Sequence, residues 1–332
     1  MRKQSVILFS LFSLLLLVHS GSAIPLEGPV TFTQRDQRIE IQVNGKPFST
    51  FHYGKDWPKP FLHPLHASSG TIVTRGYPLE KIEGESNDHF WQRGLWFAHG
   101  DINGIDFWRE ASGDKTIDAK LPLPVGLIAA KAKPKFKSES GAGTLSADFN
   151  LVAPGEKIIG TISQQYTFRC SDANIVIDVR AAVLADRGIS LKLGDTEEGL
   201  LGFRFADEFK EDRGAALTNS EGLKGTEKIW GKRARWVDYS TSIKGEKLGV
   251  AIFDHPQNPK HPTYWHARGY GLNAANPFGE HDFRNDKSLD GSVTIPSGGN
   301  LSFHYRVVIH PGNADGIEKL YQAFAQEKEG DH

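Results

Sequence analysis

Short hydrophobic runs that alternate with polar residues constrain the fold of this chain most. The segment Arg38–Val43 places an apolar side chain at every second position, and so do residues 175–183 and 301–309. Shorter strand-like runs occupy residues 126–136, 144–152, 158–170, 200–205 and 248–253. A period of two is typical of a strand with one buried face, and the connections are rich in Gly, Asn, Asp and Pro. We therefore predict an all-β fold, either a sandwich or a barrel.

One helical pattern lies near the C-terminus. Its apolar residues follow the spacing i, i+3, i+4 and i+7, at Ile317, Leu320, Tyr321 and Phe324. Asn313 and Asp315 precede it as caps, and the pattern predicts a helix that packs on the outside of the sheets. No internal repeat or linker divides the chain, so we expect a single domain over residues 24–332.

The N-terminal residues have the pattern of a secretory signal peptide. Arg2 and Lys3 are followed by an apolar run over residues 6–18 and by small residues at positions 21–23. The run is shorter than the roughly 20 residues that a membrane-spanning helix needs. We expect residues 1–23 to be removed and the protein to be exported, to the periplasm or outside the cell, without insertion into the membrane.

Charge and cysteine content exclude several classes of protein. The chain has 39 Lys and Arg against 40 Asp and Glu, without a basic block that would bind nucleic acid. Cys170 is the single cysteine, so an intramolecular disulfide and a cysteine-rich metal site are excluded. The sequence contains no HExxH, GxGxxG or GxSxG motif. We predict no cofactor and no metal site, although a bound cation stays open, and the oligomeric state is not predicted.

Histidine and tryptophan are concentrated in two parts of the chain. Residues 88–108 and 252–283 are rich in both, whereas residues 110–228 contain neither. The second part is rich in Pro, Gly and Asn, and we interpret it as a long functional loop of about 30 residues. An acidic segment, residues 194–199, lies between them. We expect the two parts to meet in one site.

The residue types in these segments suit a sugar. Carboxylates and imidazoles hydrogen-bond hydroxyl groups, and flat aromatic rings pack on the apolar face of a pyranose. We predict acid–base catalysis by a histidine and a carboxylate, chosen from His89, His255, Glu198 and Asp101. The predicted substrate-binding residues are Arg93, His99, Asp106, Trp108, Asp195, Asp254, Trp265, His266, Arg268 and Tyr270. Among them, Arg93 and Arg268 would orient substrate oxygens, and Trp108 and Trp265 would form the stacking platform.

Two functions follow from this site, and the residues leave both open. The first is a carbohydrate-active enzyme, whether a hydrolase, an epimerase or a lyase, because the separation of the carboxylates cannot be read from sequence. The second is a protein that binds glycans without catalysis. His and Asp are interleaved with the tryptophans, which favours the enzyme.

Four segments carry a resemblance to a known family. They are RGLWFAHGDINGIDFW (residues 93–108), GDTEEG (194–199), WGKRARWVDYS (230–240) and residues 254–279. Together they resemble a family of secreted bacterial proteins of unknown function often given the name methane oxygenase PmoA. That family typically has Asp-His-Pro-His-His-Arg where this chain has Asp88-His89-Phe90-Trp91-Gln92-Arg93, so His89 alone remains of the three histidines.

The resemblance implies a fold and a third function. The family is similar to the large antiparallel β-sandwiches of the galactose-mutarotase type, which bind sugars in a cleft. Its name implies a metal-dependent oxygenase. The membrane subunit behind that name is helical, whereas the pattern here is that of a β protein, so we interpret the name as inherited.

Overall fold

The strands pair into two large antiparallel sheets and a small one. The computed structural model describes residues 29–171, 173–312 and 316–327. The signal peptide predicted over residues 1–23 and the caps predicted at Asn313 and Asp315 lie outside the described residues. In spatial order, sheet 1 consists of β1 (Val30–Arg35), β2 (Arg38–Val43), β3 (Lys46–His52), β4 (Phe61–Leu62), β5 (Leu95–His99), β12 (Gly199–Arg204), β17 (Leu272–Asn276) and β16 (Tyr264–Arg268).

Sheet 2 has nine strands and stacks on sheet 1. In spatial order it consists of β13 (Ala216–Asn219), β14 (Trp236–Ile243), β15 (Glu246–Asp254), β19 (Asn300–His310), β10 (Asn174–Ala185), β9 (Lys157–Ser171), β8 (Ala142–Ala153) and β6 (Leu127–Ala130), with β7 (Lys135–Glu139) also paired to β8. A third sheet joins β11 (Leu191–Leu193) to β18 (Val293–Ile295). The helices are short: α1 (Lys115–Asp118), α2 (Thr226–Ile229), α3 (Glu280–Phe283) and α4 (Ile317–Ala325).

Aromatic side chains fill the space between the two large sheets. Phe51 on β3 lies 5.6 Å from Tyr166 on β9, and Phe97 on β5 lies 5.7 Å from Phe303 on β19, measured between ring centroids. These rings belong to one continuous cluster of buried side chains. The facing surfaces of the two sheets therefore form the core of the domain.

The two outer faces differ in what covers them. Every residue of β5, β12 and β17 is buried, since loops lie over the outer face of sheet 1. Along β8 in sheet 2, buried residues alternate with more exposed ones, which is the pattern of a strand with one open face. Sheet 2 therefore keeps a solvent-facing surface.

The predicted all-β sandwich with a C-terminal helix is confirmed. Most predicted strands coincide with observed ones, but the strand predicted over residues 126–136 is instead β6 followed by the start of β7. Helix α4 covers the predicted positions and packs on sheet 2, where Tyr321 and Phe324 lie 5.7 and 6.1 Å from Phe253. Within the described residues, no helix is long and apolar enough to cross a membrane.

The segment 252–283, predicted as a long loop, is a loop over residues 255–263, and much of the rest is strand and helix. It contains the hairpin of β16 and β17, which extends sheet 1, and helix α3. The turn residues Pro, Gly and Asn suggested a loop, but the side chains of the hairpin are almost all buried. Burial of both faces removes the alternation by which a strand is recognised in sequence.

Candidate functional site

The outer face of sheet 1 carries a group of charged side chains. Phe97 and Leu201 are register partners that face the core, so neighbouring positions along their strands face outward. The same alternation across β17 places His266 and Arg268 of β16 on the outer face. The acidic segment before β12 ends beside them, so parts of the chain about 70 residues apart meet here.

Two consecutive glutamates in that segment are held by different arginines. Arg268 donates from Nη2 to Oε2 of Glu197 over 2.9 Å, and Arg109 donates from Nη2 to Oε1 of Glu198 over 2.7 Å. Arg109 also contacts Asp106, whose Oδ1 accepts the amides of residues 108 and 109. The pair of Arg109 with Glu198 thereby joins the loop after β5 to the segment before β12, and the pair of Arg268 with Glu197 joins β16 to the same segment.

Glu198 is the most perturbed carboxyl of this group. Its side chain is buried, and its Oε2 atom has no hydrogen-bond partner among the described residues. Burial raises the pKa of Glu198 to about 7; Glu197 and Asp106 add to the rise, and Arg109 opposes it. A carboxyl with such a pKa exchanges a proton readily near neutral pH, as a general acid or base must.

The hydrogen bonds of His266 define its tautomer. Its Nδ1 donates to the backbone oxygen of Glu197 over 2.8 Å, while its Nε2 lies 2.9 Å from Nε of Arg268 and accepts from it. Burial, assisted by the charge of Arg268, lowers the pKa of His266 to about 3. This histidine is therefore neutral and positions Arg268 rather than exchanging protons.

His89 lies on the same side of the molecule. Its imidazole stacks on the ring of Tyr270, with the centroids 5.3 Å apart and the planes 4° from parallel. Burial raises the pKa of Tyr270, to which the carboxyl of Glu198 contributes, so these rings lie in the electrostatic range of Glu198. The backbone of His89 has a φ of +41°, which is unusual for a residue other than glycine and is a feature of functional sites.

Asp88 anchors this histidine. Its Oδ2 atom lies 3.3 Å from Nδ1 of His89, and its Oδ1 atom accepts hydrogen bonds from the buried Arg75 and Arg204. Burial alone would raise the pKa of Asp88, but the close contact with His89 and the two arginines outweigh it and hold that pKa well below its usual range. The carboxylate stays charged and orients the imidazole.

Half-buried aromatic rings border the site. Trp91 packs edge-on against His89 with the centroids 5.3 Å apart, and the guanidinium of Arg268 lies 4.8 Å above Trp230. The indole nitrogens of Trp91 and Trp230 have no hydrogen-bond partner among the described residues. These rings, with Tyr270, offer an apolar face to a ligand, while the two indole nitrogens are buried.

The stacking platform predicted at Trp108 and Trp265 is not available to a ligand. Both indoles are fully buried: Trp108 packs 4.8 Å from Trp96, and Nε1 of Trp265 donates to the backbone oxygen of Ala234. Gly202 permits the tryptophan pair, since a Cβ there would lie 2.5 Å from Trp96. A tryptophan can fill the core or stack on a sugar, and the sequence alone does not distinguish these two roles.

Arg93 and His99 are also part of the interior. Arg93 donates two hydrogen bonds of 2.7 Å to Glu110, which Lys59 also contacts, and its guanidinium stacks 4.8 Å from Trp57. His99 lies with Nε2 2.9 Å from the backbone oxygen of Gly194, and burial lowers its pKa to about 4. Both side chains bond to groups within the fold, although Nε of Arg93 and Nδ1 of His99 have no hydrogen-bond partner among the described residues.

Four further predicted residues lie in turns or on the other sheet. Asp101 accepts the amide of Gly104, and Asp195 accepts the amide of residue 281. Asp254 accepts the amide of residue 263 and the side chains of residues 258 and 261. His255 packs under α4 on sheet 2, with its ring 5.0 Å from Phe324. None of the four belongs to the group around Glu198.

The structure thus brings together part of the predicted set and adds to it. His89, Asp106, Glu198, His266, Arg268 and Tyr270 lie in one region. Sequence reasoning missed Asp88, Trp91, Arg109 and Trp230 as members. All four lie within or beside segments that resemble the family, so their position in those motifs was the available signal.

Comparison with solved structures returns weak similarities to sugar-related proteins. The α-galactosidase AgaA from Geobacillus stearothermophilus has a TM-score of 0.46 at 9% identity, covering 89% of this chain and 42% of that one. An α-galactosidase from Lactobacillus brevis scores 0.43 at 10% identity, with 90% and 43% covered. A galactose mutarotase-like protein from Lactobacillus casei ATCC 334 scores 0.34 at 10% identity, with 85% and 100% covered. This chain spans less than half the length of either galactosidase.

Sequence comparison gives the family. No curated protein matches the chain significantly. The name methane oxygenase, which the resemblance suggested, is not supported by any of these matches. Residues 38–323, most of the chain, match the profile described as a family of unknown function (DUF6807), and the protein therefore belongs to that family.

Proposed function

We propose that this protein is an exported enzyme that acts on a carbohydrate, with Glu198 as its proton-exchanging group. The observation that carries the proposal is the state of this carboxyl: buried, with a pKa of about 7 and with Oε2 unpartnered among the described residues. An ion pair by itself lowers the pKa of a carboxyl, so the raised pKa of Glu198 reflects burial that outweighs its pair with Arg109. The free Oε2 of Glu198 is thus the atom that would meet a substrate oxygen.

The surrounding groups suit a polyhydroxylated substrate. Arg268 and Glu197 are partly exposed and together offer donors and acceptors to neighbouring hydroxyl groups. Tyr270 and Trp91 supply ring faces for the apolar side of a sugar. His89, oriented by Asp88, is the second candidate for proton transfer, on the side of the site bordered by Tyr270. Hydrolysis, epimerisation and elimination all need such a pair of groups.

The export part of the proposal rests on the sequence of residues 1–23. A basic start, an apolar run and small residues at the cleavage position form a signal peptide. An extracellular or periplasmic location would expose the enzyme to oligosaccharides and polysaccharides.

The test is turnover by the Glu198→Gln variant. Wild-type protein is incubated with monosaccharides, nitrophenyl glycosides and acidic and neutral oligosaccharides, and products are followed by nuclear magnetic resonance. We expect at least one sugar to be converted, and the variant to be slower by about 100-fold or more, since it loses the acid–base group. Glu208→Gln, at an exposed position outside the site, is the matched control and should keep wild-type rates.

Two results would contradict the proposal. Equal rates in Glu198→Gln and wild type would remove Glu198 from the mechanism. Binding of sugars without conversion of any of them would instead favour the second candidate, a non-catalytic glycan-binding protein. That candidate is favoured by His266, which is neutral and fully hydrogen-bonded and so behaves as a binding rather than a catalytic histidine.

The oxygenase hypothesis requires a set of metal ligands. Within the described residues, one group of three such side chains converges, formed by Asp178 and His304 of sheet 2 and by Glu327, which follows α4. Arg306 donates to both carboxylates of this group, and its charge opposes a cation there. We therefore do not propose metal chemistry at this group.

A further inference from the structure

The outer face of sheet 2 presents a polar row along β9. Its outward side chains all form hydrogen bonds readily: Thr161, Ser163, Gln165, Thr167 and Arg169. The alternate positions, such as Ile162 and Phe168, belong to the core. The row spans about 26 Å at roughly 3.3 Å per residue. β9 pairs with β8 on one side and β10 on the other, so its backbone is already satisfied.

Cavities along this row join into a groove. The central one has a volume of about 580 Å³, which is in the range of small-ligand sites. A second of about 500 Å³ shares Ser146 and Gln165 with it, and a third of about 440 Å³ shares Ser163. The three follow β9 in sequence order, so the groove suits an elongated ligand.

Arg180 lies in the centre of the groove. Register pairs place Ser146, Gln165, Arg180 and His304 in one line across four strands, and all four line the central cavity. Among the described residues, no carboxylate forms an ion pair with Arg180. Asp178, two positions earlier on the same face, is instead bound by Arg306. The guanidinium of Arg180 thus keeps its charge available to a ligand.

His304 adds a second unsatisfied group beside Arg180. Its side chain is buried, and its Nε2 atom has no hydrogen-bond partner among the described residues. The ring stacks on His255, 4.8 Å away, and packs 4.6 Å from Phe324 of α4. Helix α4 therefore packs against this imidazole and holds it in place.

The groove is basic, although the whole chain is not. Its basic residues are Lys131, Lys135, Lys137, Arg169, Arg180 and Arg187. Its acidic residues are Glu139, Asp148 and Asp186. The chain as a whole has a net charge of −1. Phe136, which is 40% exposed in the second cavity, adds a flat apolar surface among these charges.

We propose that this groove binds an extended acidic polysaccharide, a chain of uronic acid residues, with one carboxylate on Arg180. Hydroxyl groups of the chain would contact the Ser, Thr and Gln side chains along β9, and a sugar ring would pack on Phe136. The groove lies on the opposite outer face from Glu198, so it would hold a polymer on the protein independently of the reaction. An extended peptide binds by pairing with the edge of a sheet or by placing side chains in apolar pockets, and this groove offers neither.

The test compares polygalacturonate oligomers with two other polymers by calorimetry. Neutral galactan oligomers have the hydroxyls without the charge, and poly-glutamate has the charge without the sugar. We expect micromolar or tighter binding of the acidic glycan and at least about tenfold weaker binding of both others, because each lacks one set of contacts. Equal binding of neutral galactan or of poly-glutamate would overturn the proposal.

Variants locate the binding in the groove. We expect Arg180→Ala to weaken binding of polygalacturonate about tenfold or more, and Ala182→Trp, which fills the central cavity, to do the same. Arg38→Ala, an exposed arginine on sheet 1, is the matched control and should bind as wild type does. Wild-type affinity in either groove variant would contradict the proposal. Glu198→Gln should keep full binding, which separates this test from that of the reaction.

Discussion

Glu198 has an environment that penalises its charged form. The carboxyl is buried and is paired through one oxygen to Arg109, while Glu197 and Asp106 add negative charge nearby. Its pKa is raised to about 7 from an ordinary value of 4.5. A group kept in this state by the fold reduces stability above neutral pH, which is a common cost of a functional site.

The stability of the Glu198→Gln variant tests whether the ionised carboxyl of Glu198 destabilises the folded state. A raised folded-state pKa contributes stability that is fully present below about pH 4.5 and is lost as the pH rises through about 7. Glutamine removes the titration, so we expect the unfolding free energy of the variant, relative to wild type, to increase by up to about 3 kcal/mol between pH 4.5 and 8. Denaturant unfolding at both pH values measures it. If the free energy of unfolding changed equally with pH in the variant and in wild type, Glu198 would have an ordinary pKa.

Helix α4 contacts both the aromatic side chains Trp236 and Phe253 of sheet 2 and the histidine pair His255 and His304. Its buried residues pack on Trp236 and Phe253, and Phe324 also contacts His255 and His304. The helix has only nine residues, so its stability comes from this contact rather than from its own propensity. His255, which the sequence suggested as a catalytic residue, lies within the same contact.

Truncation of Phe324 should destabilise the protein strongly. The side chain is fully buried, and we expect Phe324→Ala to lower the unfolding free energy by about 3–5 kcal/mol. Gln322→Ala, on the exposed side of the same helix, should change it by less than about 0.5 kcal/mol. Thermal or chemical unfolding distinguishes the two. A small effect of Phe324→Ala would mean that α4 does not contribute to the folded domain.

At the scale of the whole molecule, many histidines are buried in the neutral state. Burial is the largest cause of a lowered pKa at six of them, His255 included, and the pKa falls furthest at five: to about 4 at His52 and His99, and to about 3 at His63, His266 and His304. Each binds a proton only on unfolding once the pH falls below about 6.5, so together they oppose the folded state in acid.

We therefore expect the melting temperature to fall steadily from pH 6.5 to pH 4.5. A lowered folded-state pKa gives stability that is present above the unfolded value and lost as the pH drops toward the folded value. Five such groups outweigh the opposite contribution of Glu198 in this range. Calorimetry over this pH range measures the melting temperature. In the His99→Asn variant, the melting temperature should fall less steeply with decreasing pH. A constant or rising melting temperature would contradict the neutral state of these histidines.

Much of the fold followed from local patterns. The alternation in Arg38–Val43 and in the segments that became β10 and β19 predicted strands at nearly the observed bounds, and the spacing of Ile317 and Phe324 predicted α4. Strands buried on both faces, such as β16 and β17, were not predicted, because apolar and polar residues do not alternate in their sequences. The two His- and Trp-rich segments do meet, but a tryptophan that stacks on a sugar and one that fills a core are the same residue in sequence.

The sequence by itself determined the secondary structure class, the C-terminal helix and the residue types from which a site could be built, because period and composition are local properties. The tertiary structure alone decided which of those residues share a site. It assigned Trp108, Trp265 and Arg93 to the interior and His255 to the contact with α4, and it placed Arg109 against Glu198. It also left Arg180 without a carboxylate partner in the described residues, on an open sheet face. Burial and pairing depend on strands that are far apart in the chain, and that is why neither could be read from the residues alone.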